Sequence, residues 1–282
     1  MSRCATLIGE GEVAVDYKVT ITLIFAGFAV VEAIAGRLLN REHSRWRDVW
    51  IELISGLVIL ILTVPTIMWG GAALLEAVAP GSEGALSGLP LWAMFAVLLV
   101  ADDLTQYWWH RLSHSVPWLY NLHRAHHSAE YLSVRVVYRN NILYYAMMPG
   151  LWISAALIHA GFGVVYPVYI VLKMTVIIGA HSSVPWDSWL IQRPRLWPLL
   201  WVLERTISTP ATHAAHHGRH AADGVTHYKG NYGNFLFLWD MIFGTAKITR
   251  RYPERYGLEN IPDERWQTEL LWPLVPSARQ AD

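Results

Sequence analysis

The sequence HRAHH, residues 123–127, has the same histidine spacing as HAAHH, residues 213–217. A further pair, His110 and His114, is spaced four residues apart in HRLSH. Residues three and four positions apart lie on one side of an α-helix, so each motif predicts a helix that presents its imidazoles together. Imidazole nitrogen suits iron, zinc or copper, and eight such ligands are too many for one ion. The spacing therefore predicts two metal ions rather than unrelated surface histidines.

The composition indicates a membrane protein. Charged residues make up 16% of the chain, against about 25% in a typical soluble domain. Apolar segments cover residues 18–39, 50–78, 91–109 and 142–180, and a transmembrane helix needs about 20 such residues. Pro65 is expected to bend the second segment, and the glycines of HAGFG, residues 159–163, to divide the last into two. We expect an all-α integral membrane protein with four to five transmembrane helices forming a stalk, rather than a soluble protein with buried helices.

The basic residues predict which side of the membrane holds the histidines. Arginines 37, 41, 45 and 47 lie between the first two segments, and no Lys or Arg occurs in residues 48–110. Cytoplasmic loops carry the excess of such residues. All three histidine motifs are then expected in a helical cap on the cytoplasmic side. Residues 1–18 have no apolar run long enough for a cleavable signal. We interpret residues 1–282 as one domain, with N-terminal spans at 1–90, a catalytic core at 91–250 and a cytoplasmic tail at 251–282.

Four stretches carry a family resemblance: DLTQYWWHRLSH (103–114), LHRAHHSAE (122–130), STPATHAAHHGRH (208–220) and NYGNFLFLWDMIFGT (231–245). Over residues 90–250 the chain resembles the fatty acid hydroxylase / sterol desaturase superfamily of membrane non-haem di-iron oxygenases. Within it, the second and third motifs look most like the alkylglycerol monooxygenase branch.

The resemblance also implies a ligand outside the three motifs, at His181 in GAHSSVPW. Four other histidines match no motif, and for His220 and His227 the question of a ligand role stays open; the remaining two are His43 and His159. The expected metal ligands are His110, His114, His123, His126, His127, His181, His213, His216 and His217.

Several polar residues are candidates for orienting these rings, because a ligating histidine usually donates its second N–H to a carboxylate or carbonyl. Asp103 lies two helical turns before His110, and a charge at that depth is expensive. Glu130, Asn231 and Asp240 follow the motifs, although solvated-loop or capping roles are open for Glu130 and Asp240. Lys173, inside the fifth segment, is expected to bind a substrate head group or a carboxylate.

The resemblance implies two iron ions, with zinc able to replace them in recombinant protein, and O2 as co-substrate. It implies an oxidoreductase, a lipid monooxygenase or hydroxylase, that oxidises a C–H bond of a membrane lipid. Hydroxylation is favoured over desaturation, and ether cleavage or a sterol desaturase or demethylating oxidase activity stays open. Since the chain has no Rossmann or flavin motif, electrons are expected from outside, from a reduced pterin or a separate reductase chain.

Other classes are less consistent with the pattern. A net charge of zero provides no basic surface for nucleic acid, and the single cysteine, Cys4, excludes a cysteine-based zinc site. A metal transporter would need ligands within the spans. A haem protein with two axial histidines would leave the triplets unexplained.

Overall fold

The computed structural model describes residues 16–40, 42–259 and 264–277, and these residues form helices and loops without a β-strand. The predicted all-α fold is confirmed for this part of the chain. Cys4, Arg41 and the N-terminal residues in which we expect no signal lie outside the described residues.

Two helices are long and apolar enough to cross a membrane, α1 (Tyr17–Ile34) and α2 (Trp46–Val78). The carboxylate of Asp16 caps α1 by accepting the backbone N–H of Lys18 at 2.8 Å. Helix α2 contains a π-helical turn at Val58–Thr63, immediately before Pro65. Proline has no N–H to donate to the preceding turn and commonly disturbs a helix there. The predicted irregularity in the second apolar segment therefore takes the form of a π-turn.

The outer surfaces of these helices are apolar. Leu23, Ile61 and Trp69 are 66%, 71% and 76% exposed. Large continuous apolar surfaces are rare on soluble monomers and are typical of membrane or protein contacts. Together with the length of the helices, this surface indicates a membrane protein.

The middle of the chain forms α3 (residues 91–113, with a π-helical turn at Leu99–Leu104), α4 (Pro117–His127), α5 (Ile142–Ala146), α6 (Pro149–His159) and α7 (Tyr166–His181). Gly161 has φ +119°, and a Cβ atom there would lie 2.8 Å from the backbone nitrogen of Ser87. Glycine alone suits this conformation and this contact. The predicted break between the fourth and fifth apolar segments is confirmed.

Helices α6 and α7 have 11 and 16 residues, shorter than the roughly 20 residues that span a bilayer. Within the described residues, α1 and α2 are the only helices that satisfy both length and apolarity. Fewer spans are therefore evident from the structure than the four to five that the sequence predicts.

Four further helices complete the core: α8 (Ser188–Ile191), α9 (Trp197–Thr206), α10 (Pro210–His217) and α11 (Leu238–Phe243). Thr209 caps α10, and its hydroxyl accepts the N–H of Thr212. Helix α1 packs along α7, α2 packs on α6, and α10 packs on α7. Gly71 permits the close approach of α2 and α6, because a Cβ there would lie 2.6 Å from Cβ of Ala155.

The C-terminal segment forms α12 (Trp266–Leu271), which packs on α2 and α4. Trp272, which follows it, is buried against Leu122 and Trp109. The C-terminal segment therefore packs against α4, the helix that carries the second histidine motif.

Candidate metal centre

Seven of the nine predicted ligands lie in or next to the carboxyl-terminal turn of a helix, and His123 and His213 lie one turn earlier in α4 and α10. His110 is in the last turn of α3 and His114 follows it, His127 ends α4, His181 ends α7, and His217 ends α10. Each α-helix carries a partial negative charge at this end. Four helix ends that converge on one place therefore favour cations there.

The structure sorts the nine histidines into two groups, and the ligand nitrogens within each group lie within 4.8 Å of one another. The ring centroids of His127 and His217, one from each group, are 4.4 Å apart, so the groups are neighbours. The five-histidine group is His110, His114, His123, His127 and His216; the four-histidine group is His126, His181, His213 and His217.

Each HxxHH motif is divided between the two groups. His123 and His127 join the five-histidine group, while His126 joins the four-histidine group. The motif at residues 213–217 divides with the same spacing, since His213 and His217 lie in one group and His216 in the other. Residues at i+3 and i+4 of a helix point about 100° apart. We expected each triplet to act as one face; instead the adjacent histidines diverge towards different sites.

Backbone carbonyls orient four of the nine rings. Nδ1 of His110 donates to the carbonyl of Tyr232 at 2.7 Å, and Nδ1 of His216 donates to the carbonyl of Gly230 at 2.7 Å. Nδ1 of His181 donates to the carbonyl of Ile177 at 2.8 Å. These bonds fix the tautomer and leave Nε2 with a free lone pair.

The second motif has two hydrogen-bond partners that its spacing does not indicate. Nδ1 of His126 donates to the carbonyl of Arg139 at 3.1 Å, and Nδ1 of His123 donates to Oδ1 of Asn140 at 2.9 Å. Both partners lie in the segment between α4 and α5, where "RNN" gave no recognisable signal. Such a partner is set by how the segment folds back, which spacing along the chain does not report.

The Nε2 atoms satisfy a direct test of metal binding. Those of His110 and His216 are 3.0 Å apart, and those of His126 and His181 are 3.3 Å apart. Because Nδ1 carries the proton in all four rings, each pair sets two lone pairs against each other. Two nitrogens that are each about 2.1 Å from one ion lie about 3.0 Å apart at a right angle and about 3.4 Å apart in a tetrahedron. The donor geometry therefore fits a cation between each pair.

Burial keeps these imidazoles neutral. It lowers the pKa of His123, His127 and His217 well below the usual 6.5, and positive charge on neighbouring rings would lower it further. Metal ligation needs the neutral form. Nε2 of His114 and Nδ1 of His213 are buried without a hydrogen-bond partner in the described part of the chain, and a buried polar nitrogen left unpaired calls for a ligand or a water.

The carboxylate and amide candidates do not contact the histidines as predicted. Oδ2 of Asp103 instead accepts Nε1–H of Trp239 at 2.8 Å and the N–H of Leu236 at 3.1 Å. Asp103 lies in the π-helical turn of α3, which changes its angular relation to His110. It anchors the NYG…WD segment to α3.

Two of the other candidates act on the site through the backbone. Asp240 accepts the N–H groups of Tyr232 and Gly233 at 2.8 and 2.6 Å, and so holds the carbonyl that orients His110. Asn231, at φ +54°, donates to the carbonyl of Thr212 at 2.9 Å and accepts the N–H of Lys247 at 2.7 Å.

Glu130 is partly exposed at the surface of the histidine-bearing region. Its Oε1 is 3.2 Å from Arg219 and 3.5 Å from Arg45, and the carboxylate is 30% exposed. Glu130 is therefore better described as a solvated loop residue than as a residue that orients a histidine ring.

Lys173 forms an internal ion pair. Its Nζ is 2.6 Å from Oδ2 of Asp102, which also accepts the hydroxyl of Tyr169 at 2.7 Å. Of the two partners expected for Lys173, the structure provides the carboxylate, and the binding of a substrate head group stays a prediction. No local feature of the sequence indicates the role of Asp102, because its partner lies 71 residues away.

The four remaining histidines lie outside both groups. His43 is exposed, and His159 is 3.3 Å from Glu76 at the far ends of α2 and α6. His220 is 3.3 Å from Oε1 of Glu259, and Nε2 of His227 is 3.2 Å from the carbonyl of Thr245.

The sequence profile of the fatty acid hydroxylase family matches residues 95–245, more than half of the chain. The chain belongs to the fatty acid hydroxylase family. All nine grouped histidines lie inside the matched residues.

Several curated relatives are alkylglycerol monooxygenases. The chain is 26% identical to the Xenopus tropicalis protein over 248 residues, which are 86% of this chain and 50% of that protein. It is 25% identical to the Danio rerio protein over 272 residues (89% and 52%), and 24% identical to the Homo sapiens protein over 243 residues (82% and 48%). The chain thus spans about half the length of these members. No solved structure matches the sequence.

Proposed function

We propose that this member of the fatty acid hydroxylase family is a membrane-bound oxidoreductase that uses O2 to hydroxylate a C–H bond of a lipid. The observation that carries the proposal is that Nε2 atoms within each of the two histidine groups face one another at 2.9–3.3 Å. Nitrogen-only donor sets of this size suit two transition-metal ions.

The five-histidine and four-histidine groups would each hold one iron ion. Two ferrous ions supply the electrons and the O2 chemistry that no amino-acid side chain provides. Zinc binds such ligands more tightly than ferrous iron, so protein from an expression host is expected to carry zinc at the same nitrogens. The chain contributes the orientation of the rings and the exclusion of water, since eight of the nine histidines are buried.

The proposed substrate is a membrane lipid. The exposed apolar surfaces of α1 and α2 support this, since they suit contact with lipid. The relatives' name, alkylglycerol monooxygenase, favours a glycerol ether lipid. Oxidation of the carbon beside an ether oxygen would give a hemiacetal and cleave the ether. Desaturation of the lipid, or a sterol desaturase or demethylating oxidase activity, is the alternative outcome of the same C–H oxidation.

We further propose that α3, α6 and α7 enter the membrane beside α1 and α2, which makes a stalk of four to five spans. The arginines among residues 37–47 support a cytoplasmic location for the histidine-bearing end, because cytoplasmic loops carry the excess of basic residues. Residues 1–90 would supply the first spans, 91–250 the catalytic core and 251–282 the cytoplasmic tail of one domain.

The polar residues around the site have structural tasks in this proposal. Asp240 and Asn231 position the loop whose carbonyls hold His110 and His216, and Asp103 ties that loop to α3. The two reducing equivalents come from a separate donor, either a reduced pterin or a reductase chain.

Metal transport is less favoured by the structure. The intramembrane charges Asp102 and Lys173 are paired with each other at 2.6 Å. The candidate ligands lie together at one end of the helices rather than along a path across the bilayer.

The experiment is turnover of purified protein in detergent with a lipid ether, a reductant and 18O2. Metal content is measured on the same sample. The proposal requires about two metal ions per chain and one labelled oxygen in the product alcohol or aldehyde. Turnover that persists without O2, or label that comes only from water, would contradict the oxygenase mechanism. A Soret band in the absorption spectrum would indicate haem instead.

A further inference from the structure

A cavity of about 370 Å³ opens beside the five-histidine group. His114 and His127 form part of its wall, and Ser115, Lys229 and Glu259 lie around them. These residues come from the connection between α3 and α4, the segment after α10 and the C-terminal tail. The cavity therefore lies on the histidine-bearing end of the molecule, away from the apolar faces of α1 and α2.

The exposure of the histidines singles out this cavity. Eight of the nine grouped histidines are buried, and His114 alone is partly exposed. Both His114 and His127 belong to the five-histidine group. Among the described residues, the cavity is thus the place where a histidine group comes closest to solvent.

Two further side chains of metal-binding types lie at this cavity: Glu259 lines it, and His220 lies beside Glu259. The carboxylate of Glu259 lies 3.3 Å from Nδ1 of His220 and 3.5 Å from the hydroxyl of Tyr228. The side chains of His220 and Glu259 are 45% and 28% exposed. A carboxylate and an imidazole that stay in contact with water can bind a divalent cation and release it again. Lys229 also lines the cavity, and its charge opposes the approach of a cation.

We propose that this cavity is the loading route for the metal ions, with Glu259 and His220 as a transient first binding site. The inference rests on the metal-binding part of the proposed function and does not depend on the reaction or the substrate. A hydrated divalent ion first binds Glu259 and His220 and then exchanges its water for the nitrogens of His114 and His127. The ion for the four-histidine group follows through the five-histidine group, because the four-histidine group is buried throughout.

This route gives His220 a task that does not require it to be a permanent ligand. It also predicts opposite effects for the two charges beside the path. Removing the negative charge of Glu259 slows the exchange of bound metal, and removing the positive charge of Lys229 accelerates it. Electrostatic steering by surrounding charges changes association rates by about tenfold or more, so one charge is expected to change the exchange rate by about three- to tenfold.

The test is isotope exchange on the full-length, zinc-loaded protein in detergent. Excess 68Zn is added, and the isotope ratio in the re-isolated protein is measured by mass spectrometry over time. The variants are Glu259→Gln, His220→Ala and Lys229→Gln, with Ser115→Trp to fill the cavity. His43→Ala, at an exposed histidine outside both groups, is the matched control.

Exchange is expected to be slower in Glu259→Gln, His220→Ala and Ser115→Trp, faster in Lys229→Gln and unchanged in His43→Ala, with the same total zinc in all five. Wild-type exchange in every variant would overturn the proposed route, as would Glu259→Gln and Lys229→Gln changing the rate in the same direction. A wild-type protein that holds no zinc would overturn the metal centre itself, so the two failures are distinguishable before exchange begins.

Discussion

Replacement of Arg139 tests how the fold supports the metal centre. Its side chain is fully buried, 2.9 Å from Asp48 of α2 and 3.5 Å from Glu269 of α12. It also donates to the carbonyl of Ala125 at 2.6 Å, and its own carbonyl accepts Nδ1 of His126. One residue thus joins the second apolar helix, the tail and a histidine of the four-histidine group.

The expected magnitude follows from the buried charges. Arg139→Gln removes the cation and leaves two buried carboxylates, at Asp48 and Glu269, without it. Removing one partner of a buried ion pair costs about 3–5 kcal/mol of folding free energy. For a chain of this size, 1 kcal/mol shifts the unfolding temperature by about 2–4 °C, so we expect a decrease of about 6–20 °C. Arg139→Lys keeps the positive charge but loses the planar guanidinium group, and we expect a smaller decrease in the unfolding temperature.

The assay is thermal unfolding in detergent, followed by tryptophan fluorescence, together with metal content per chain. Arg205→Gln is the matched control, because Glu204 keeps its second partner Arg250 at 2.7 Å. The side chain of Arg205 is 29% exposed, whereas that of Arg139 is fully buried, so the loss of Arg205 is expected to cost much less folding free energy. We expect Arg139→Gln to lose metal from the four-histidine group and the control to keep it. Equal unfolding temperatures in Arg139→Gln and Arg205→Gln would refute the reasoning.

Four further results are expected. His216→Ala should lose metal and activity, whereas His159→Ala, at the opposite end of the helices, should keep both; metal analysis showing equal content in the two would remove His216 from the ligand set. Asp240→Asn should loosen the carbonyl that orients His110 and weaken metal affinity by about 10- to 100-fold. A zinc titration that gives the variant the same affinity as the wild type would contradict this. Lys173→Met should leave the buried Asp102 carboxylate without its cation and lower the unfolding temperature by an amount similar to Arg139→Gln, while lipid KM stays unchanged; a change in KM alone would support the substrate-binding role. Acidification should release metal and destabilise the fold, because the folded pKa of the buried histidines is depressed: their contribution is complete above about pH 6.5 and is lost as pH falls below it, and metal content that stays constant from pH 7 to pH 4.5 would refute this.

The local structure of the histidine motifs followed from the sequence. Spacing of three and four residues predicted helices, and each motif lies at a helix end. The apolar composition of residues 18–39 and 50–78 predicted α1 and α2. These features depend on residues within one or two helical turns of each other, which is the range over which helical periodicity acts. The chain's place in the fatty acid hydroxylase family follows from the same motifs.

The tertiary structure decided which residues surround the histidines. Asn140 and the carbonyl of Arg139 reach the second motif through a folded-back loop, and Lys173 meets Asp102 from a different helix. The π-helical turn in α3 moved Asp103 away from its expected position. Hydrogen-bond partners such as these depend on helix packing and on the paths of loops, and a linear pattern contains neither.

The division of the nine histidines is the clearest example of both contributions. The sequence determined that His126 and His127 are adjacent on a helix and therefore point about 100° apart. Only the approach of α3, α7 and α10 decided that His127 joins His110 and His216, while His126 joins His181 and His213. The physical reason is that a helix fixes the directions of its own side chains, whereas the packing of several helices fixes where those directions converge.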